Sequence, residues 1–543
     1  MSPRGLLAHP AVVIAGLALA ASASGLANGF VYDDIPIIQQ NPIVRQVESI
    51  GRIWSAPYWP AGLLYRPVTL QLFAAEWALD GGQPVVFHVV SVLLKVLTAV
   101  LLWRLARRLL PPLPALAAAA LFAVHPVHAE SVANVVGQAE LLAAGLALLA
   151  VERFLAWRER GALGPGHRAA LALLTLLAIF SKETGVVIPA LLVAAELILV
   201  APAISWRKQA SLLAPMLALQ AGAVVAAILV RIIVLGPTAG AGPAVALQGL
   251  SAGERIIGML AVVPQWTRLL LWPVHLEAEY GPPGIAVTGP VGAAHLLGLL
   301  LLGAAAFLLV RTWRRQPVVA FGLAWVGLAL FPVSNILTTT GVILAERTLF
   351  LPSAGAMLAL GGGCALLFPW LEAAKPPVRR AGYLLLGGVI LAGMLRSIER
   401  QPVWKDPDGF SRRLETDSPT SYRAHLIASR HYSETGRHPE AERAGARAYA
   451  LFKGDPQVFE QYGQTMRRQG RCADALGVLS EAVERFPDRT VARSRLIECA
   501  LAVGDTARAR ELAKEAVRLG QPEFEPTVAR LSGRIRMPTG RRP

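Results

Sequence analysis

The segment PVVFHVVSVLLKVLTAVLLWRLARR, residues 84–108, decides the class of fold to which this chain belongs. Its apolar part is about 20 residues long, which is the length that an α-helix needs to cross a bilayer. The segment ends in Arg104, Arg107 and Arg108, and positive side chains collect on the cytoplasmic side of a membrane. We therefore predict a transmembrane helix whose C-terminal end faces the cytoplasm.

The composition of the whole chain indicates that this segment is one of many. The chain has 543 residues, of which 54% are hydrophobic and 16% charged, and its formal net charge is +16. A soluble globular protein carries about 25% charged residues, so lipid must surround most of this chain. The basic clusters flank apolar segments, which favours membrane lipid rather than nucleic acid as the partner. The three cysteines show neither a disulfide framework nor a metal-binding spacing.

Apolar segments and their flanking Lys and Arg residues together predict eleven transmembrane helices. The first follows Arg4, which we place in the cytoplasm, although a cleavable signal peptide is the alternative interpretation of residues 1–29. The apolar run at 255–276 is interrupted by Arg and Pro, so we interpret it as an interfacial or re-entrant helix pair within a long outer loop at about 236–290. The second segment lies near 84–103, the third runs out to HPVHAESVAN, the fourth returns to ERFLAWRERG, the fifth reaches SKETG and the sixth returns to WRKQ. The remaining predicted segments lie near 211–235, 291–310, 317–335, 349–370 and 381–398. Because eleven is odd, the C-terminal tail lies on the face opposite the N-terminus.

The tail after residue 400 is a repeat array. Gly436, Gly470 and Gly504 are 34 residues apart, and two sets of alanines keep the same period: Ala441, Ala475, Ala509 and Ala448, Ala482, Ala516. A 34-residue period is typical of tetratricopeptide repeats, in which stacked helix pairs bury the apolar faces that one pair cannot bury alone. We predict a membrane domain at 1–400 and a repeat domain at 401–543, with repeats at about 422–455, 456–489 and 490–523.

In this topology the unusual polar groups all fall in the outer loops. The first outer loop, at about 30–80, holds Asp33, Asp34 and Arg66, and the later outer loops hold His125, His128, Glu130, Lys182, Glu183, Glu346 and Arg347. Ionisable groups at the mouths of membrane helices indicate one shared polar cavity. Each has a simpler interpretation, such as a helix cap for the aspartates or an internally neutral pair for Lys182–Glu183. His125 and His128 lack a third ligand at helical spacing, so no metal site is predicted.

Several motifs, in order along the chain, resemble one family. They are FVYDD, YRPVTLQLF, FHVVSVLLK, FAVHPVHAESVANVVGQAELLA, SKETG and AERTLFLPSAG, followed by the repeats. The set resembles the transmembrane and tetratricopeptide-repeat O-mannosyltransferases, which belong to the GT-C class of glycosyltransferases that use polyprenyl-phosphate sugars. Ser91 and Lys95 stand where members tend to have Asn and His, and Gln138 stands where many have Arg.

The resemblance implies roles for the polar groups. Asp33 is expected to be the base that removes a proton from an acceptor hydroxyl, with Asp34 as its partner. Arg347 is expected to bind the departing phosphate, and Lys182 and His128 are further candidates for that task. Arg66, His125 and Glu183 are supporting residues, and Glu130 and Glu346 are expected to orient the cations. A divalent cation is compatible with this chemistry but is not predicted.

The predicted function is that of an inverting glycosyltransferase. It would move a hexose, mannose above all, from a polyprenyl-phosphate donor to a hydroxyl of a protein or glycan. The predicted location is the bacterial inner membrane, with the N-terminus cytoplasmic and the repeats periplasmic, where they could hold a peptide acceptor. Two alternatives remain: a transferase that modifies a cell-envelope glycan or lipid, and a non-catalytic membrane scaffold that displays the repeats.

Overall fold

The protein is built from helices throughout the part of the chain that can be described. The structure, a computed structural model, describes residues 9–46, 50–59, 64–161, 163–200, 206–237, 242 and 244–532. Within these ranges there is no strand, only one isolated bridge between Pro283 and Ser421. The all-α class predicted from the sequence is confirmed, whereas Arg4, on which we based the cytoplasmic N-terminus, lies outside the described residues.

In the part of the chain that the structure describes, eleven apolar helices, one of them a bent pair, lie in the order in which the eleven spans were predicted. Eight are long and apolar enough to cross a membrane, and a bent pair, Pro112–Ala123 and Pro126–Ala133, makes a ninth. Two shorter apolar helices, Pro165–Ser181 and Pro317–Val333, lie where the fifth and ninth spans were predicted. The chain is a multi-pass membrane protein. The eight long segments are Pro10–Ala27, Pro84–Leu109, Val135–Arg158, Glu183–Val200, Leu213–Leu235, Ala293–Thr312, Glu346–Ala373 and Pro376–Trp404.

The remaining helices belong to the loops and the tail. The loop helices are Pro42–Arg45, Ile50–Trp54, Pro67–Asp80, Ala252–Leu260 and Val263–Leu271. The tail helices are Pro407–Asp417, Tyr422–Glu434, His438–Leu451, Pro456–Arg468, Cys472–Arg485, Thr490–Ala502, Thr506–Arg518 and Glu525–Leu531. Short helical turns, among them Ile35–Gln39, Val135–Gly137 and Glu346–Leu349, lie next to the polar groups considered below.

Proline sets the start of many membrane helices. Pro84, Pro112, Pro165, Pro317 and Pro376 each occupy the first turn of a helix. Proline suits this position because its fixed φ matches a helix and its missing N–H has no helical partner there. The sequence therefore marks the membrane entry points through backbone chemistry as well as through hydropathy.

The face predicted to be cytoplasmic carries ion pairs in addition to the basic clusters that we expected. Glu152, 1% exposed, accepts hydrogen bonds from Arg104 (3.3 Å), Arg108 (3.1 Å) and Arg153 (2.5 Å). Glu196, also buried, pairs with Arg158 at 2.7 Å. The bonds from Arg104 and Arg108 to Glu152, and from Arg158 to Glu196, join helix ends that are two predicted spans apart. Two spans return the chain to the same side of the membrane, so these contacts agree with the eleven-helix topology.

The long loop contains two short amphipathic helices rather than a span. Ala252–Leu260 begins with a capping box between Ser251 and Glu254, and Val263–Leu271 follows after a two-residue break. A helix of nine residues is about 14 Å long, less than half of the hydrocarbon thickness. This agrees with the interfacial interpretation of the apolar run at 255–276.

The chain divides into two compact units. One comprises Met1–Glu277 and Val287–Phe410, and the other comprises Ala278–Ala286 and Ser411–Pro543. The second unit is thus not a continuous tail, because a nine-residue segment of the long loop belongs to it. In that segment the carbonyl of Pro282 accepts the Tyr422 N–H at 3.2 Å, and Glu279 accepts a hydrogen bond from Arg423 at 2.9 Å. The domain boundary at residue 400 stays a prediction.

Within the described residues the repeat unit contains three helix pairs, formed by the six helices from Tyr422–Glu434 to Thr506–Arg518, and further helical segments at each end. Gly436, Gly470 and Gly504 have φ values of 76°, 75° and 87°, and each lies in the turn between the two helices of a pair. This left-handed conformation is unfavourable for residues with a Cβ atom. The six repeated alanines are all completely buried, so the helices approach closely where larger side chains would hold them apart.

We predict that Gly470→Ala destabilises the repeat unit by about 1–2 kcal/mol, because alanine must adopt a positive φ there. Gly477→Ala is the matched control. Gly477 lies inside Cys472–Arg485, and a Cβ there would meet nothing within 4 Å, so we expect a gain of about 0.5–1 kcal/mol. Unfolding midpoints and protease resistance of the full chain measure both. Equal effects of the two substitutions would contradict the role of the turn.

Candidate functional site

Asp34 is a buried acceptor that ties two loops together. Its carboxylate is 0% exposed and accepts the backbone N–H of Val31 (3.4 Å), Val135 (3.3 Å) and Val136 (2.9 Å). These donors belong to the first outer loop and to the turn after the Ala129–Ala133 helix. Burial raises the pKa of Asp34 to about 7, against the opposing effect of the three N–H groups. Asp34 therefore fixes the position of its neighbour Asp33.

Asp33 differs from Asp34 in exposure and in surroundings. It is half-buried rather than enclosed, and its charge acts on Arg347 and on Tyr58. The preceding residue, Tyr32, has φ 56°, a conformation that is rare for a bulky side chain and that concentrates at functional sites. The backbone is thus held in an unfavourable conformation directly before the accessible carboxylate.

Three cations from three different loops lie in the same region, each paired with a carboxylate. Arg66 forms a two-pronged contact with Glu183, at 2.8 Å from Nη2 and 3.1 Å from Nε to Oε2. Lys182 pairs with Glu140. Arg347 pairs with Glu130 through its guanidinium and also through its backbone N–H, at 2.8 Å. In each pair the two residues are separated by an even number of predicted spans, which returns the chain to the side of the membrane from which it started. All three pairs therefore lie on the same face of the membrane in the predicted topology.

The cations are close enough to influence one another. Burial lowers the pKa of Lys182, Glu140 opposes this shift, and the charges of Arg66 and Arg347 lower the pKa further. We call Asp33, Arg66, Lys182 and Arg347, together with the three glutamates paired with the cations, the outer polar cluster. The structure thus brings together residues that the sequence analysis assigned to separate outer loops, and it pairs Glu183 with Arg66 rather than with its neighbour Lys182.

Glu346 and Glu130 were both expected to orient cations, and the structure gives them different contacts. Glu130 holds Arg347 directly, as described above. Glu346 is completely buried, and its Oε1 accepts the backbone N–H of Glu277 at 2.6 Å. Glu346 therefore attaches the long outer loop to the turn that carries Arg347.

The two histidines occupy structural positions. His125 contacts the carbonyl of Leu270 in the long loop at 3.1 Å, and its other ring nitrogen accepts the Val127 N–H. His128 is 2% exposed and contacts Ser353 at 2.7 Å and the ammonium group of Lys95. Both ring nitrogens of His128 are thus engaged within the protein, which leaves Arg347, Lys182 and Arg66 as the cations of the cluster.

Sequence analysis did not assign Lys95 and Glu140. Lys95 lies in the middle of the membrane helix Pro84–Leu109. An ammonium group is costly at that depth unless a hydrogen-bond acceptor lies nearby. It donates to the Phe122 carbonyl at 3.1 Å as well as contacting His128. Glu140 follows the HPVHAESV motif, but its partner Lys182 is 42 residues away, so no local pattern reveals the pair.

Two of the departures from the family pattern contact each other. Gln138 donates to Ser91 at 3.3 Å and to the Phe87 carbonyl at 3.0 Å. Both side chains are completely buried. Ser91 also donates to the Phe87 carbonyl, at 3.1 Å, so the two side chains share one backbone acceptor.

Glu76, on the loop helix Pro67–Asp80, is another buried acid of the outer loops. It is 1% exposed, and burial raises its pKa to about 9 although Gln138 opposes the shift. It is therefore neutral at pH 7, and a neutral carboxyl is far less costly to bury than a carboxylate. Among the described residues, no group of three His, Cys, Asp or Glu side chains is arranged to hold a metal ion.

The chain is similar to known proteins over most of its length. A family model for the tetratricopeptide repeat matches residues 466–535. The protein O-mannosyl-transferase TMTC4 of Homo sapiens is 26% identical over 487 residues, which covers 80% of this chain and 65% of that protein. The Mus musculus protein of the same name is 25% identical over 482 residues, with 78% and 64% covered. These matches confirm the resemblance seen in the motifs.

The likeness is stronger over a shorter stretch. Protein O-mannosyl-transferase Tmtc2 of Drosophila melanogaster is 39% identical over 185 residues, 31% of this chain and 19% of that protein. The chain spans less than two thirds of the length of the human and mouse relatives. A crystal structure of ArnT from Cupriavidus metallidurans bound to undecaprenyl phosphate aligns with 95% of this chain and 81% of that one, at a TM-score of 0.37 and 14% identity.

We predict that Asp34→Ala destabilises the membrane unit, because three buried N–H groups lose their acceptor at about 1–3 kcal/mol for each one left unpaired. Asp34→Asn is the matched variant: it retains one acceptor oxygen, so it should lose clearly less. The unfolding midpoint of the purified full chain in detergent measures the difference. A wild-type midpoint for Asp34→Ala would show that these contacts do not hold the loops.

Proposed function

We propose that this protein is an inverting glycosyltransferase that moves a hexose, mannose above all, from a polyprenyl phosphate to a hydroxyl of a protein. The observation that carries the proposal is the outer polar cluster, in which cations from three distant loops influence one another and the half-buried Asp33 acts on one of them, Arg347. The relatives named protein O-mannosyl-transferases support the choice of sugar and of a protein acceptor.

Asp33 is the proposed general base. The acceptor hydroxyl attacks the anomeric carbon of the sugar, the bond from that carbon to the phosphate oxygen breaks, and the hydroxyl proton passes to Asp33. A general base contributes about 10²–10⁴ to the rate of such a step. Asp33 suits this role better than Asp34, because both carboxylate oxygens of Asp34 already accept backbone N–H groups. Asp34 is a positioning residue in this proposal.

Arg347 is the proposed ligand of the departing phosphate. The guanidinium of Arg347 pairs with Glu130 through one of its terminal nitrogens. A guanidinium carries five N–H donors in one plane, and this arrangement matches the oxygens of a phosphate. Lys182 and Arg66 add positive charge nearby. The paired glutamates hold the three cations in place before the donor arrives, so the reaction spends little energy on reorganising them.

The proposed location of this chemistry is the outer face of the membrane. Segment Ala278–Ala286 of the long outer loop lies in one compact unit with the repeats, and four apolar helices separate the two stretches in sequence. An even number of crossings returns the chain to the side from which it started. The repeats would therefore share the side of the long loop, where they could hold an extended acceptor peptide.

Two rival functions make different demands on the cluster. A transferase that modifies an envelope glycan or lipid uses the same Asp33 and Arg347 but has no need of the repeats for acceptor binding. A membrane scaffold needs the repeats and does not need Asp33. The outer polar cluster favours an enzyme, because a scaffold has no evident need of three ion pairs that bring cations from three loops together, one of them under the influence of the half-buried Asp33.

We expect Asp33→Asn to lower turnover by about 10²–10⁴ while folding and donor binding persist, because the amide keeps the shape of the carboxylate but not its basicity. The assay supplies membranes with radiolabelled polyprenyl-phosphate sugars and follows which label moves and onto what. Asp80→Asn, in the same outer loop, removes an equal charge from a residue that accepts the N–H groups of Gly82 and Gln83, and it should stay active. Full activity of Asp33→Asn would disprove the proposed base.

Arg347→Ala should weaken donor use as well as turnover, because the guanidinium contacts the phosphate in the ground state and the transition state alike. Arg347→Lys keeps the charge but loses the two-pronged geometry, so we expect it to lie between alanine and wild type. The ratio of kcat to KM for labelled donor measures both variants. If both retained a wild-type KM and kcat, the phosphate would have to bind elsewhere.

A further inference from the structure

An ammonium group lies enclosed in the middle of a membrane helix. Lys95 belongs to Pro84–Leu109 and is 1% exposed. It donates to the Phe122 carbonyl at 3.1 Å, in the last turn of the helix Pro112–Ala123, where carbonyl groups lack partners within the helix. The ring centroids of Phe122 and Phe350 lie 4.8 and 5.2 Å from the ammonium nitrogen. A helix C-terminus and two aromatic faces both favour a cation.

Lys95 begins a chain of hydrogen bonds whose direction is fixed. It contacts Nδ1 of His128, and Nε2 of the same ring lies 2.7 Å from the Ser353 hydroxyl. That hydroxyl has one hydrogen and donates it to the Phe350 carbonyl, also at 2.7 Å. The serine oxygen therefore accepts from Nε2–H of His128, which leaves Nδ1 as an acceptor for Lys95. His128 is thus neutral and held in a single tautomer.

The energetics of burial do not account for a lysine at this position. Taking an ammonium group out of water carries a large penalty, and the replacement of buried charges by well-packed apolar residues is often neutral or stabilising. An apolar residue at position 95 would fill the same space at a lower cost. What it could not supply is an N–H donor to His128, and this is the contribution that distinguishes Lys95.

The chain of hydrogen bonds connects the two segments that carry Glu130 and Arg347. His128 directly precedes the helix Ala129–Ala133, which contains Glu130, and Phe350 lies three residues after Arg347. The rings of His128 and Phe350 pack with their centroids 4.5 Å apart. Glu130 in turn accepts the backbone N–H of Arg347 at 2.8 Å. The two segments are therefore joined at two places that are separated by only one residue on one side and two on the other.

We propose that Lys95 is a positioning residue for the transferase reaction, because through His128 it fixes the segment that holds Arg347 in place for the departing phosphate. This rests on the proposed function, in which Arg347 is the phosphate ligand. A guanidinium makes a two-pronged contact with phosphate only when its plane is correctly oriented. Lys95 is enclosed, so its influence reaches the donor only through the residues that it contacts.

The first test is Lys95→Met, which keeps an unbranched side chain and removes the donor to His128. We expect kcat/KM for labelled polyprenyl-phosphate sugar to fall by about 10- to 100-fold, because a small displacement of a binding group has an effect of this order. Thr98→Val is the matched control. It removes a buried hydroxyl, which donates to the Lys95 carbonyl at 2.8 Å, and should keep the wild-type value. A wild-type kcat/KM for Lys95→Met would overturn the proposal.

A double variant separates positioning from general destabilisation. In an Arg347→Ala background, Lys95→Met should change kcat/KM by less than about twofold, because the group through which the lysine acts is already absent. A loss that multiplied with that of Arg347→Ala would overturn the proposal. Lys95→Gln, whose amide can donate to His128, should recover part of the activity that methionine loses. A loss as large as that of methionine would show that the donor to His128 is not what matters.

Ser353→Ala tests the other end of the same chain and leaves the buried lysine unchanged. It removes the acceptor of the His128 Nε2–H, so kcat/KM should fall, and the effect should again vanish in the Arg347→Ala background. If Lys95→Met does not yield folded protein, this variant decides, and wild-type kinetics for it would overturn the proposal.

The proposed function and the positioning role fail in different ways. If the wild-type protein transfers label from no donor, the proposed function is wrong, and the positioning role is then judged from stability. Glu130→Gln, Arg347→Ala and their double variant give the coupling within the pair from unfolding midpoints in detergent. The same cycle in Lys95→Met, or in Ser353→Ala, should show a weaker coupling. An unchanged coupling would overturn the inference.

Discussion

The acceptance of three backbone N–H groups by the Asp34 carboxylate is the contact on which the polar face depends. One donor belongs to the first outer loop and two belong to the turn between the third and fourth apolar segments. The first loop also packs through buried apolar side chains, among them Ile37 and Ile38, in a cluster that contains Val135, and the buried carboxylate satisfies backbone N–H groups on both sides of this contact. With Asp34 enclosed in this contact, Asp33 remains half-buried, and its charge acts on Arg347.

The second constraint is charge balance. Arg66, Lys182 and Arg347 would repel one another at close range if they stood alone. Their pairing with Glu183, Glu140 and Glu130 neutralises them in the absence of a ligand. In the proposed function, an incoming phosphate would meet cations that are already positioned and would have to share them with carboxylates. This favours a ligand that brings its own binding energy from an apolar tail over a free phosphate ion.

The sequence predicted the class of fold and the members of the cluster better than it predicted their partners. Span positions followed from hydropathy, proline and basic flanks, and the repeats followed from a fixed period with glycine at positive φ. The partners could not follow, because Glu183 bonds to Arg66 117 positions away and Arg347 to Glu130 217 positions away. Asp33 and Asp34 are adjacent and chemically identical. Only the fold shows that one is enclosed and the other accessible.

The nine residues Ala278–Ala286 have a bearing on how such a protein could arise. A domain at the end of a chain is usually gained, lost or exchanged as a continuous piece of gene. In this protein the loop segment supplies two hydrogen-bond acceptors to the repeat helices. The carbonyl of Pro282 accepts from the Tyr422 N–H, and Glu279 accepts from Arg423. A fragment that begins at residue 411 would lack the loop segment and would lose both hydrogen bonds. The repeat unit is therefore completed by a loop that lies far from it in sequence, and a tail exchanged with that of another protein would keep these contacts only if the loop were exchanged with it.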